Sequence, residues 1–172
     1  MTLRTIITIT LVIAGIAVIF YVGYSLIFKH YRRSNTIERT LAIIKPEAVQ
    51  AHQTGPIIDR IEQMGFTIID FRKVHLGKEE AAKFYHEHKN KSFFGDMTQY
   101  ISSGPIVVMI LEKLNAIGDW RDLMGATNPA KAKDGTIRKQ FGTNIEKNAV
   151  HGSDSQAAAQ QEIAFFFADR RK

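Results

Sequence analysis

Apolar residues follow two different patterns along this chain. From Thr5 to Phe28 the run TIITITLVIAGIAVIFYVGYSLIF covers 24 positions without one charged side chain. At ~1.5 Å per helical residue such a run exceeds a hydrocarbon core of about 30 Å, and the pattern predicts a single transmembrane helix. Tyr21, Tyr24 and Tyr31 gather towards one end, as interfacial aromatics do. The run is longer than the apolar part of a secretory signal, and no small-residue cleavage site follows it.

After Glu38 the apolar positions alternate between strand and helix periods. RTLAIIK (39–45) is a β-branched run closed by a proline. A helix is predicted from Thr54, the candidate cap, with Pro56 in its first turn, Ile57, Ile58, Ile61 and Met64 on one face, and Gly65 as its stop. FTIIDFRKVHL (66–76) returns as a strand, followed by helical spacing over 77–89 and 93–104. PIVVMILE (105–112) is apolar at successive positions, which predicts a central strand buried on both faces. A helix over 114–125, a loop over 126–142, a short strand into His151 and a helix from Ser155 to Phe167 complete the order. That order fits an α+β sandwich, an antiparallel sheet with helices on a ferredoxin-like β-α-β-β-α-β core. The predicted division is a transmembrane anchor with its basic flank at 1–34 and a folded domain at 35–172.

Charge changes the picture in one respect. The chain has 23 basic and 17 acidic residues, but Arg4, Lys29, Arg32 and Arg33 precede the first acid, Glu38. The remainder carries 19 basic against 17 acidic side chains, too even for a nucleic-acid footprint, and no nucleic-acid partner is expected. KHYRR follows the apolar run while only Arg4 precedes it, so the positive-inside rule predicts a single-pass membrane protein with a cytoplasmic C-terminal domain. Cysteine is absent, which excludes disulfides, a thiolate nucleophile and cysteine-ligated metal.

Four separated segments carry candidate chemistry. KPEAV (45–49) ends the first strand with a lysine, and SFF (92–94) offers aromatic faces. ATNPAKAKDGTIR (126–138) brings Thr127 and Arg138, with Arg121 upstream, and NAVHGSD (148–154) brings Asn148, His151 and Asp154. A lysine, two arginines and a hydroxyl suit a polyphosphate, because guanidinium presents a fixed fork and ammonium a mobile point charge. An exposed phenylalanine stacks on a base without reading its edge. A histidine near neutrality is able to attack phosphorus. Each residue also has a plainer explanation, as a solvated cation, a turn residue or a structural histidine. The residues alone support a phosphate-binding α+β domain and leave the role of His151 open. His86 and His88 lie two apart, on different faces of a helix, and form no metal pair.

From about Glu38 to Phe167 the chain resembles the nucleoside diphosphate kinase family, on KPEAV, SFFGDMTQYISSGPIVVMILE, LMGATNPA, GTIR and NAVHGSDS in that order. The resemblance implies transfer of the γ-phosphate of a nucleoside triphosphate, typically ATP, to a nucleoside diphosphate, by a ping-pong mechanism through a phosphohistidine. It implies His151 as nucleophile and Glu162 as the carboxylate that orients it. Arg121, Thr127 and Arg138 correspond to phosphate ligands, with Tyr85 beside the reacting phosphate. Lys45 and Asn148 correspond to ribose contacts, Lys45 also reaching the transferred phosphate, and Phe93 and Ile145 to the walls of the base slot. Mg²⁺ is expected on the nucleotide phosphates, with Asp154 touching it through water. A homo-oligomer is implied, a tetramer before a hexamer. The chain departs from the family at Glu47 and Ala48, where many members carry Asp and Gly, and around GTIR at Asp134, Lys139 and Gln140. The competing reading is a membrane-tethered nucleotide-binding scaffold with weak or vestigial kinase activity.

Overall fold

The computed structural model describes residues 36–168 and, ahead of them, Gly15, Val18, Phe20 and Tyr21. The chain divides into two units, 1–35 and 36–172, and the fold of the second follows. One expectation is corrected at the outset. A spanning segment needs both apolar side chains and an unbroken helix of ~20 residues that satisfies its own backbone groups. Among the described residues no helix is long and apolar enough to cross a membrane. The run 5–28, which alone carried the anchor, lies outside the described residues except at four positions. The reading as a single-pass membrane protein with a cytoplasmic domain therefore falls, because apolar composition supplied only the first requirement.

Strand β1 (Ile37–Ile44) lies inside a four-stranded sheet, between β3 (Ile106–Leu114) and the short β4 (Val150–Gly152). β2 (Thr67–Val74) pairs with the far side of β3, giving the antiparallel order β2-β3-β1-β4. This is the order of a ferredoxin-like α+β fold. Leu41 and Ile43 point into one apolar cluster and Ala42 and Ile44 into another, all without solvent exposure. On β3 Ile106 and Val108 join the first, while Val107, Met109 and Leu111 join the second. The unbroken apolar run at 105–111 therefore reflects helices on both faces of an inner strand.

The helices are α1 (Pro46–Gln50), α2 (Thr54–Gln63), α3 (Lys78–Phe84), α4 (Phe94–Ile101), α5 (Ala116–Met124), α6 (Ile137–Phe141) and α7 (Gln156–Phe167). α2 and α5 cover the face that holds Trp120, and α3, α4 and α7 cover the other. Three local expectations change. Thr54 is the first helical residue and not a cap, since Gln53 holds the cap position without a side-chain hydrogen bond. Met64 follows the last turn of α2 and is 45% exposed, whereas Ile57 and Ile61 are fully buried. The helix predicted over 77–89 ends at Phe84, and exposed His86–His88 form a separate 3₁₀ turn. At five residues each, α1 and α6 are too short to show periodicity.

β4 brings His151 opposite Ile43, a fully buried residue of β1. Trp120 backs this pairing: its indole N–H donates to the His151 carbonyl at 3.3 Å, and its ring meets Phe66 edge-on. A methyl group at Gly152 would lie 2.2 Å from Trp120 Nε1. Gly152→Ala must therefore displace a packed indole, and a loss of about 1–3 kcal/mol is expected in urea unfolding, the usual cost of overpacking.

Candidate active site

Sheet pairing and two loops converge on a cleft of about 420 Å³. Eight of the residues singled out in the sequence line it: Lys45, Tyr85, Phe93, Thr127, Arg138, Ile145, Asn148 and His151. Glu162 stands behind His151, on α7. Arg121 and Asp154 are exposed and do not line the cleft.

His151 is held from several sides. Its Nε2 lies 3.1 Å from Glu162 Oε1, and the other carboxylate oxygen accepts the Ser153 hydroxyl proton at 2.6 Å. Ser153 in turn accepts from the Leu41 N–H at 3.2 Å, so β1 sets the hydroxyl that sets the carboxylate. An ionised carboxylate only accepts, which assigns the ring proton to Nε2 and leaves a lone pair on Nδ1. Among the described residues no hydrogen bond engages Nδ1. The rings of Phe84 and Tyr85 stand edge-on to the imidazole at 5.6 and 6.2 Å and limit its rotation. Burial and the Glu162 charge push the Tyr85 phenol well above its ordinary range, so it remains a hydrogen-bond donor.

Positive charge in the cleft lacks a directly paired carboxylate among the described residues. Among the described residues neither Lys45 nor Arg138 forms a salt bridge with a carboxylate. Burial, with some help from Arg138, lowers the Lys45 ammonium to about 8 against the opposing pull of Glu47 and Glu146. Burial, then the charge of Arg121, lowers Arg138 to about 10. Arg138 donates through Nη1 to the Gly125 carbonyl at 2.9 Å and through Nη2 to that of Val150 at 3.1 Å, while its Nε is buried without a partner. Gly125 closes α5 at φ +81°, and a Cβ there would strike Thr136, so the turn that presents this carbonyl requires glycine. Desolvated cations with donors to spare define an anion site.

Asn148 is held by three hydrogen bonds within the protein. Its Nδ2 donates to the carbonyls of Thr127 at 3.0 Å and Ile145 at 2.9 Å, and its Oδ1 accepts from Lys45 Nζ at 2.7 Å. It ties both loops to the lysine, and one lone pair on Oδ1 is left for a ligand. Phe93 and Ile145, 51% and 59% exposed, supply apolar walls, with the His88 ring tilted against Phe93 at 6.2 Å. Residue-by-residue reading passed over Ser153 and Glu47. Ser153 is fully buried yet polar, which only the fold reveals. Glu47 had a signal, its position two residues after the lysine.

Together these features define a phosphate-handling α+β domain with a carboxylate-oriented histidine in a nucleotide-sized cleft. The family model for nucleoside diphosphate kinase matches residues 38–171. A nucleoside diphosphate kinase of Geotalea uraniireducens is 56% identical over 131 residues, covering 76% of this chain and 96% of that protein. One from Nitratiruptor sp. is 57% identical over 134 residues, covering 78% and 98%. Among solved structures, the Aquifex aeolicus nucleoside diphosphate kinase superposes with TM-score 0.75 at 41% identity, covering 77% of this chain and 96% of that one. A Halobacterium salinarum nucleoside diphosphate kinase, solved in complex with CDP, gives TM-score 0.75 at 38% identity, covering 78% and 90%. The chain belongs to the nucleoside diphosphate kinase family, and it is a phosphotransferase of that class.

The lowered Lys45 pKa has a measurable consequence. A phosphate beside the amine favours its charged form and raises its pKa on binding. Nucleotide binding at pH 8.5 is therefore expected to take up protons, and affinity to fall as pH rises through about 8. Calorimetry in buffers of different ionisation enthalpy checks both, and Lys45→Arg is expected to lose most of the uptake.

Proposed function

We propose that this protein transfers the γ-phosphate of a nucleoside triphosphate, typically ATP, to a nucleoside diphosphate through a phosphohistidine at His151. The single observation that carries the reading is the His151 Nε2–Glu162 contact at 3.1 Å, which leaves Nδ1 the free nucleophilic nitrogen in the cleft that Lys45 and Arg138 line. In the first half-reaction the Nδ1 lone pair attacks the γ-phosphorus. The bond from phosphorus to the β,γ-bridging oxygen breaks, and its electron pair leaves with the nucleoside diphosphate. In the second, a terminal β-phosphate oxygen of another diphosphate attacks the same phosphorus, and the P–N pair returns to Nδ1. Glu162 keeps the Nε2 proton hydrogen-bonded throughout and stabilises the positive ring, as a carboxylate does for histidine in hydrolases. Because the phosphoryl group waits on the protein, donor and acceptor use one cleft in turn.

Phosphoryl transfer is chiefly positioning and charge stabilisation. Lys45 and Arg138 are the proposed stabilisers of the equatorial oxygens, with Thr127 and the exposed Arg121 on the outer phosphates and Tyr85 beside the transferred group. Lys45 and the remaining lone pair of Asn148 hold the ribose hydroxyls. Phe93 and Ile145 clasp the base through apolar faces, so purine and pyrimidine nucleotides are both accepted. Mg²⁺ enters as part of the nucleotide substrate. Among the described residues no group of three His, Cys, Asp or Glu could hold a metal, so such an ion takes its ligands from the phosphates and water, with Asp154 acting through water. Assembly into a homo-oligomer, a tetramer before a hexamer, is also proposed. Ile69 and Phe71, 41% and 47% exposed on the edge strand β2, favour self-association. Light scattering that returns a monomer mass would remove that element.

The purified protein is expected to take label from γ-labelled ATP into an acid-labile, alkali-stable form and to pass it to GDP. His151→Ala should abolish labelling. Glu162→Gln should lower kcat by about 10²–10⁴-fold, the range for losing an orienting or general acid–base carboxylate. An unlabelled parent, or a labelled His151→Ala, would refute the mechanism.

A further inference from the structure

Glu47 sits in the first turn of α1, and its carboxylate is divided between two partners on distant parts of the chain. Oε1 accepts from the Ala149 N–H at 2.8 Å, and Oε2 accepts from the Tyr100 hydroxyl. Burial, then the bond to Glu47 and its charge, push Tyr100 far above the ordinary phenol range, so its hydroxyl keeps the proton it donates. Ala149 is a buried non-glycine residue at φ +68°. A left-handed backbone costs an L-residue roughly 1–2 kcal/mol and persists only where neighbours hold it. Here Ala149 is held at both ends of its peptide units: its carbonyl accepts from the Lys45 N–H at 2.9 Å, and its N–H reaches Glu47. The Val150 N–H donates to the Asn148 carbonyl at 2.8 Å, which closes a tight turn around Ala149. Asn148 precedes this turn directly and His151 follows it by two residues. Tyr100, on α4, lies under the Lys45 ammonium at 5.7 Å and lines the same cleft.

We infer that Glu47 is a positioning residue for phosphoryl transfer, its carboxylate bracing the Ala149 turn against α4 and so setting where His151, Asn148 and Lys45 meet the phosphates. The inference rests on the phosphotransfer reading above. Glu47 therefore acts as a functional strut between the Ala149 turn and α4.

The test compares the parent with Glu47→Ala and Glu47→Gln in steady-state exchange, thermal unfolding and ¹⁵N titration of the His151 ring. Glu47→Ala is expected to lower kcat about 10–100-fold, as displacement of a reacting group by up to an ångström does, with KM for the diphosphate within about threefold. It should also shift the His151 titration. Glu47→Gln keeps an oxygen for the Ala149 N–H and should recover most of the lost kcat and return the ring titration towards the parent. If Glu47→Ala lowers only the melting temperature, turning over at the parental rate with an unmoved ring titration, the inference is overturned. A Glu47→Gln protein as slow as Glu47→Ala also overturns it, since charge and not bracing would then matter. Should Glu47→Ala fail to fold, Tyr100→Phe removes one arm of the brace and is read the same way, with a loss of about 3–10-fold for one hydrogen bond. An inactive parent would defeat the phosphotransfer reading, and the ring titration would still decide for or against the brace.

Discussion

Burying positive charge without a directly paired carboxylate is unfavourable, and this cleft does so at both Lys45 and Arg138. Lowering an ammonium from 10.5 to about 8 corresponds to a penalty on the order of 3 kcal/mol. The Arg138 Nε adds an unsatisfied buried donor. Such a site persists only where surrounding structure over-determines it. Backbone carbonyls of Gly125 and Val150 fix the guanidinium, and Asn148 and the Glu146 carbonyl fix the ammonium. The helices that cover both faces of the sheet supply the apolar burial that offsets the penalty. A polyanion entering the cleft provides the missing charge, so binding relieves a cost already present in the free protein.

The histidine depends on the same architecture in a different way. Its nucleophilic nitrogen is chosen by what occupies the other one. Leu41 on β1 sets Ser153, Ser153 and His151 share the Glu162 carboxylate, and Trp120 holds the His151 carbonyl. The sheet and the helices on its two faces thus converge on one histidine, with Glu162 alone bonding the ring. The strained Ala149 turn lies between this group and Asn148, which explains why an ordinary-looking pair of β4 residues needs external support.

Much of the fold was legible because its signals are local. The apolar run at 105–111 announced an inner strand, and β3 is one; the β-branched run at 39–45 announced β1. Helix ends were less legible. Thr54 has the chemistry of a cap, yet the chain enters α2 one residue earlier, and the 77–89 pattern breaks at Phe84 because His86–His88 turn out to solvent. The apolar run at 5–28 lies outside the described residues except at four positions, so its hydropathy carried the anchor expectation alone. In the site, Lys45, Arg138, Asn148 and His151 were found by residue type and motif, whereas Ser153 looked like one more turn serine and Glu47 like a harmless substitution.

The sequence by itself determined which chemistry was available: a histidine, carboxylates, cations and apolar residues, with no thiol, carried in segments whose order resembles one family. Only the tertiary structure decided how those groups act. Tautomer, desolvation and the sharing of the Glu162 and Glu47 carboxylates depend on partners 9 to 102 residues distant in sequence. Hydrogen bonds reach about 3 Å and burial is set by whatever packs nearby, so neither property belongs to a residue until the sheet has brought its neighbours to it.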